Sequence, residues 1–351
     1  MSSVYQRLAE FLDTFPQRFP VNTDSGIELK VLEYIFTPEE AEMAMTLQMM
    51  PETGRQVAER IGAEPEQVEK QLYDMSRKGQ IMRMGPPGGY MYMAMPFFVG
   101  IYEFQLKRLD RKFSELMEDF KPILMASTWL KGKTREIRTV PVNQTVDKQS
   151  EVMSYEIAEE AIKGADNITL SDCICRKERG LVDKACGYPV ETCISFGMGA
   201  AFYAENGLGR PVSKEEALDA LKKGVEAGLV LQLGSSKNPA GLCMCCGCCC
   251  AILEEYKKLD KPALEANSNF FARISEELCT ACGTCVDRCH MAAISLDDIA
   301  VVNLDRCIGC GACAVSCPTE AIAMCRKNKE EEFVPQNDMM EAMMAMYQER
   351  R

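Results

Sequence analysis

Two cysteine runs near the C-terminus constrain this chain more than any other feature. Cys279, Cys282, Cys285 and Cys289 are spaced C-x2-C-x2-C-x3-C, and Cys307, Cys310, Cys313 and Cys317 repeat that spacing. The repeat extends beyond the cysteines. Gly283, Ala293 and Ile294 recur as Gly311, Ala321 and Ile322, each 28 residues further on. A constant shift across both cysteines and packing residues predicts two similar halves related by a pseudo-twofold axis. Thiols this closely spaced suit metal ligation better than pairwise bridging.

The wider composition agrees. The chain has 351 residues, 19 cysteines and one histidine. Disulfide frameworks belong to small secreted domains. This chain is large, and its opening residues, MSSVYQRLAEFLDTF, are interrupted by Arg7, Glu10 and Asp13, so they lack the apolar core of a secretion signal. A reducing cytoplasm, that of an anaerobe, is expected. The net charge of −12 argues against nucleic acid or an anionic membrane as partner and suits docking to a basic redox protein. The longest uncharged run, Met84 to Tyr102, is broken by Pro86, Pro87, Gly88, Gly89 and Pro96, so no membrane span is expected.

The doubled run, CTACGTCVDRCH and CIGCGACAVSCP, closely resembles that of bacterial two-cluster ferredoxins over residues 268–327. The resemblance implies two [4Fe–4S] clusters, with the fourth cysteine of each run ligating the other cluster. Cys279, Cys282, Cys285 and Cys317 would hold one, and Cys307, Cys310, Cys313 and Cys289 the other. Gly283 and Gly311 would let the backbone approach the inorganic sulfurs. Each fourth cysteine is expected to start a short helix, and AAISLDDIAVVNLDRC reads as two strands turning at Asp297-Asp298. Pro318 follows Cys317 as in the family, whereas His290 follows Cys289. With eight cysteines present no ligand is missing, so His290 reads as a packed or solvated side chain. Cys325 lies outside the pattern and reads as a buried thiol.

Upstream, residues 1–36 read as a helical arm. Residues 37–96 read as three helices and a hairpin, with Thr37 and Thr53 as N-caps, Val68, Leu72 and Met75 inward, Gly79 as a stop and PPGG as the turn. This resembles a winged helix-turn-helix. Its third helix is electrically neutral, and residues 1–100 hold nine Lys/Arg against fourteen Asp/Glu, which favours protein docking or a structural role over DNA. Residues 97–150 read as a linking region: a long helix over FQLKRLDRKFSELMEDF, Trp129 in a core, and a strand before Pro141 that belongs at a sheet edge.

Residues 151–265 form a second cysteine-rich part of mixed α/β character. Cys173, Cys175, Cys186 and Cys193 are spaced C-x-C-x10-C-x6-C, and Cys243, Cys245, Cys246, Cys248, Cys249 and Cys250 crowd one loop. Ten cysteines exceed what packing uses. They suggest a further metal site, an iron–sulfur cluster or a structural zinc, with the ligands undetermined. CISFGMGAAFYAENGLG reads as helical, and Ser213 with Glu216 forms a capping box. Arg176 reads either as a charge that stabilises thiolate or as an ordinary surface arginine. Residues 328–351 close the chain with a methionine-rich helix suited to packing or docking.

The expected architecture is therefore α+β: a winged helix, a mixed α/β cysteine-rich domain and a ferredoxin-like two-cluster module. The expected function is relay of single electrons to or from a partner oxidoreductase, without catalysis by side chains. Two alternatives stand beside it: a redox-sensing winged-helix transcriptional regulator, and an oxidoreductase whose active centre is the 173–250 region.

Overall fold

A computed structural model describes residues 3–350. It mixes helices and sheets throughout. Its centre is a six-stranded antiparallel sheet in the order Ile137–Val140, Val230–Gly234, Gly241–Cys245, Glu191–Phe196, Ile168–Asp172, Arg210–Pro211. The strand before Pro141 is at an edge, as its proline requires.

Side chains alternate across a strand, and here the alternation divides the protein into two cores. Leu170, Ile194, Leu231, Leu233, Leu242 and Met244 face helices Ala158–Gly164 and Lys214–Glu226, burying against Ile162, Ala217 and Leu221. The opposite face, with Val230 and Cys245, meets a larger core built from the N-terminal helices and the C-terminal cysteine repeat. Residues Cys193–Phe196, expected to be helical, are instead part of a strand, and the helix begins only at Gly197. Sheet pairing between Cys193 and Cys243 overrides the local helical signal there.

The N-terminal part follows its capping signals. Thr37 and Thr53 each close a capping box, on helices Pro38–Ala44 and Gly54–Ile61. Helix Pro65–Arg77 buries Val68, Leu72 and Met75, and strands Met82–Met84 and Met91–Met93 pair as a hairpin. Three basic side chains of this region are engaged in bonds to other parts of the chain. Arg83 is 2% exposed and pairs with Glu205 at 2.9 Å, Arg77 donates to Asn206 Oδ1 at 3.0 Å, and Lys78 pairs with Glu40 at 2.5 Å. Helices Val4–Asp13 and Ile27–Ile35 pack on this unit and on helix Arg111–Leu124.

The long helix expected from Phe104 is split. Its first turn ends by Lys107, and Asp110 caps a new helix by accepting from Phe113 N at 2.8 Å. Trp129 is in the core, donating to Tyr256 Oη at 3.1 Å. The C-terminal helix, Met339–Gln348, buries Ala342 and Met346 and exposes Met340 and Met344. No helix among the described residues is long and apolar enough to cross a membrane.

Candidate metal centres

The doubled cysteine runs fold as a near-repeat. Strands Phe270–Ile274 and Ile322–Arg326 pair antiparallel, and Ile294–Leu296 pairs with Ala300–Val302 around Asp297-Asp298. Gly283 and Gly311 both have positive φ, 79° and 80°, and each N-caps a short helix carrying the third cysteine of its run. The helices are Thr284–Arg288 and Ala312–Val315, so Cys289 and Cys317 lie after a helix rather than at the start of one. The glycine turn starts each helix two residues past the second cysteine, and the helix ends before the fourth.

Backbone N–H groups already aim at four of the sulfurs. Ala293 N and Ala321 N donate to Cys289 Sγ and Cys317 Sγ at 3.2 and 3.3 Å. Ala272 N and Ala300 N donate to Cys307 Sγ and Cys279 Sγ at 3.4 and 3.5 Å. Both pairs of donors are 28 residues apart, so the pseudo-symmetry governs hydrogen bonding as well as ligand spacing. Charge-accepting sulfurs with fixed amide donors are what a bound cluster uses to tune its potential.

The eight cysteines line two separate cavities. One is bounded by Cys279, Cys282, Cys285 and Cys317, the other by Cys289, Cys307, Cys310 and Cys313. Each takes three cysteines from one run and the fourth from the other. The first opens to solvent at the exposed Cys282. Around the second, Cys307 and Cys313 are buried, and burial raises the thiols of Cys307, Cys310 and Cys313 above the ordinary range. Sequence reasoning passed over Gly309, which also lines the second cavity. Its φ is +71°, and a Cβ there would stand 2.1 Å from Phe270 O. Only glycine fits.

The ten cysteines of residues 173–250 do not converge on one point. Strand alternation sends Cys243 and Cys245 to one face of the sheet and Cys246 to the other. On the Cys246 side, the Sγ atoms of Cys186, Cys246, Cys248 and Cys249 all lie within 4.8 Å of one another, the sole such group among the described residues. Contact with Cys249, with help from the Arg176 guanidinium, pulls the Cys246 thiol down to about 4, whereas burial beside Cys246 pushes Cys248 up to about 12. On the other side, Cys173, Cys175, Cys193, Cys243, Cys245 and Cys250 gather under the larger core, with Cys245 Sγ 3.5 Å from Gln232 Oε1.

Two residues join these groups. Arg176 is 4% exposed and donates to Met244 O at 2.8 Å, Pro189 O at 3.0 Å and the Thr192 hydroxyl. It is a buried cation between the two cysteine groups, not a surface arginine. His290, adjacent to Cys289, donates from Nε2 to Gly228 O at 2.8 Å and accepts the Gly247 N–H on Nδ1 at 3.2 Å. It is a packed side chain with both ring nitrogens used, and burial lowers its affinity for a second proton.

Comparison with known proteins bears on the repeat alone. A family model described as "4Fe-4S binding domain" matches residues 300–323, which hold Cys307, Cys310, Cys313 and Cys317. A protein of Methanosarcina thermophila named "Probable ferredoxin" is 50% identical over 34 residues, or 10% of this chain. The chain spans 59% of that relative's length. No solved structure gives a significant match. The C-terminal part of the chain carries an iron–sulfur module of ferredoxin-like kind that binds a 4Fe-4S cluster.

Proposed function

We propose that the chain is an electron-transfer protein or subunit. In this reading it passes single electrons through two [4Fe–4S] clusters to or from a partner oxidoreductase. The observation that carries this is the pair of cavities, each lined by four cysteines in the crossed combination of three and one. Cys279, Cys282, Cys285 and Cys317 hold the outer cluster. Cys307, Cys310, Cys313 and Cys289 hold the inner one. The exposed Cys282 makes the outer cluster the point of exchange with a partner, and the acidic surface favours a basic one.

Cys186, Cys246, Cys248 and Cys249 fit a third site. Tetrahedral zinc with Zn–S of about 2.3 Å requires sulfurs about 3.8 Å apart, and mutual distances within 4.8 Å suit that single ion better than a cubane. The eight cysteines of the repeat form no group as tight. The ion would pin the Cys246–Cys249 loop.

Residues 37–96 act as a winged-helix-like docking or structural unit, residues 151–265 as the cysteine-rich domain and residues 268–327 as the two-cluster module. Engagement of Arg77, Lys78 and Arg83 in bonds to other parts of the chain leaves Lys70, paired with Asp74, as the exposed cation of the third helix, which favours electron transfer over transcriptional regulation.

Anaerobic purification with iron and sulfide counts, followed by EPR of the dithionite-reduced protein, tests the relay. C317S should disturb the outer cluster and C289S the inner one. If each substitution instead affects the cluster of its own run, the crossed assignment fails.

A further inference from the structure

The six cysteines on the far side of the sheet do not belong to any site described so far. We propose that Cys173, Cys175, Cys193, Cys243, Cys245 and Cys250 ligate a polynuclear iron–sulfur cluster, separate from the four-cysteine site on the opposite face.

The sequence brings these residues together by three routes. Cys193 and Cys243 are paired across adjacent strands, and Cys245 follows Cys243 on the same face. Cys173 follows strand Ile168–Asp172 and is the N-cap of helix Ile174–Leu181, with Cys175 in its first turn. Cys250 is the N-cap of helix Ala251–Lys258.

Their sulfurs form a chain of contacts from Cys175 through Cys173, Cys193, Cys243 and Cys245 to Cys250. The ends are near enough for a charge on Cys250 to raise the Cys175 thiol. Yet among the described residues only the Cys186 group has three or more sulfurs mutually within 4.8 Å. The six therefore mark a perimeter rather than converge on a point. A single ion draws four thiolates to one centre. Six sulfurs on a perimeter enclose several metal atoms.

The surroundings suit an anionic cluster. Neither N-cap uses its side chain to cap, so the positive ends of two helices stand beside these cysteines. Arg176 adds a buried positive charge beside Cys173, whereas Lys121 near Cys175 is neutralised by its ion pair with Glu178. The Tyr102 hydroxyl is 4.0 Å from Cys175 Sγ. All-thiolate ligation selects soft metals, and a chain that already binds iron–sulfur meets iron and sulfide where it folds.

The proposal concerns ligation alone and depends on the relay reading only for its baseline of about eight sulfides from two clusters. The test uses the full chain, purified without oxygen. Acid-labile sulfide is counted, and the iron is followed by Mössbauer spectroscopy after 57Fe loading. Wild type should carry at least about twelve sulfides. C186S/C248S should retain all of them, and C193S/C243S should lose at least one third while keeping the signals of the repeat. Unchanged sulfide in C193S/C243S, or loss of metal without sulfide, overturns the proposal. If C193S/C243S does not fold, C186S/C248S decides: about twelve sulfides or more upholds the site and about eight overturns it. Failure of the relay reading shows separately, as no sulfide lost from C282S/C310S.

Discussion

The Nδ1 atom of His290 accepts the backbone N–H of Gly247 at 3.2 Å, tying the residue after Cys289 to the loop that carries Cys246 and Cys248. The Lys257 ammonium donates to Gly247 O at 3.2 Å, so this one glycine is held from both of its backbone groups. The two cysteine-rich parts are thereby locked in register. A Cβ on Gly247 would lie 3.0 Å from His290 O, which explains why a glycine interrupts the cysteine run.

Replacing His290 by alanine should leave the Gly247 N–H and the Gly228 carbonyl without partners. Each buried unpaired group costs about 1–3 kcal/mol. The expected result is a lower unfolding midpoint and faster amide exchange across residues 246–250, with the iron count of the repeat unchanged. Hydrogen exchange under anaerobic conditions measures both the site and the extent.

Gly309 and Gly283 should respond unequally to alanine. Both have positive φ, which costs a non-glycine residue about 1–3 kcal/mol. The nearest atom to a Cβ at Gly283 is Leu296 Cδ2, at 3.5 Å, whereas at Gly309 it is Phe270 O, at 2.1 Å. G283A should load iron with a modest loss of thermal stability. G309A should lose more than about 3 kcal/mol or fail to fill the inner cavity. Iron per chain and the thermal midpoint of the two variants give the comparison.

Arg176→Met should lower the reduction potential of any cluster beside it. The guanidinium favours the more negative, reduced state, and a unit charge ~7 Å away at an effective dielectric of ~20 is worth on the order of 100 mV. Removing it also frees the carbonyls of Pro189 and Met244. An EPR-monitored redox titration should therefore show at least one signal moved to lower potential. Potentials identical to wild type would exclude a cluster next to Arg176.

Glu103 should make stability fall as pH rises. Burial pushes its carboxyl up to about 8, against the opposing N–H bond from Gly100 at 2.8 Å. A folded value above the unfolded one means the folded chain binds this proton more tightly. The stabilisation is complete below the unfolded value near 4.5 and is lost as pH climbs to about 8, by up to about 1.4 kcal/mol per pH unit. The stability difference between wild type and E103Q should decline across that window and be flat above it. Parallel denaturation curves at pH 5 and pH 8 provide the check.

What was legible in the chain was local or repeated. The capping boxes at Thr37, Thr53 and Ser213 and the PPGG hairpin follow from a few neighbouring residues each, and the cysteine repeat announces itself by its 28-residue shift. What was hidden depends on long-range pairing. Cys193 reads as helical until Cys243, fifty residues away, is seen beside it in the sheet. Arg176 reads equally as a thiolate-stabilising charge or a surface arginine because nothing nearby shows that Thr192 and Met244 will close over it. The division of the ten cysteines did leave one trace: in GLCMCCGC the alternation of Leu242, Met244 and Cys246 against Cys243 and Cys245 has the two-residue period of a strand.

Cys245 and Cys246 are consecutive, yet they face opposite sides of one sheet. Inserting or deleting a single residue in Gly241–Cys245 would exchange the faces and deliver each thiol to the wrong compartment. This strand should therefore tolerate substitution far better than any change of length, and any metal bound on either side should be lost together when its length changes.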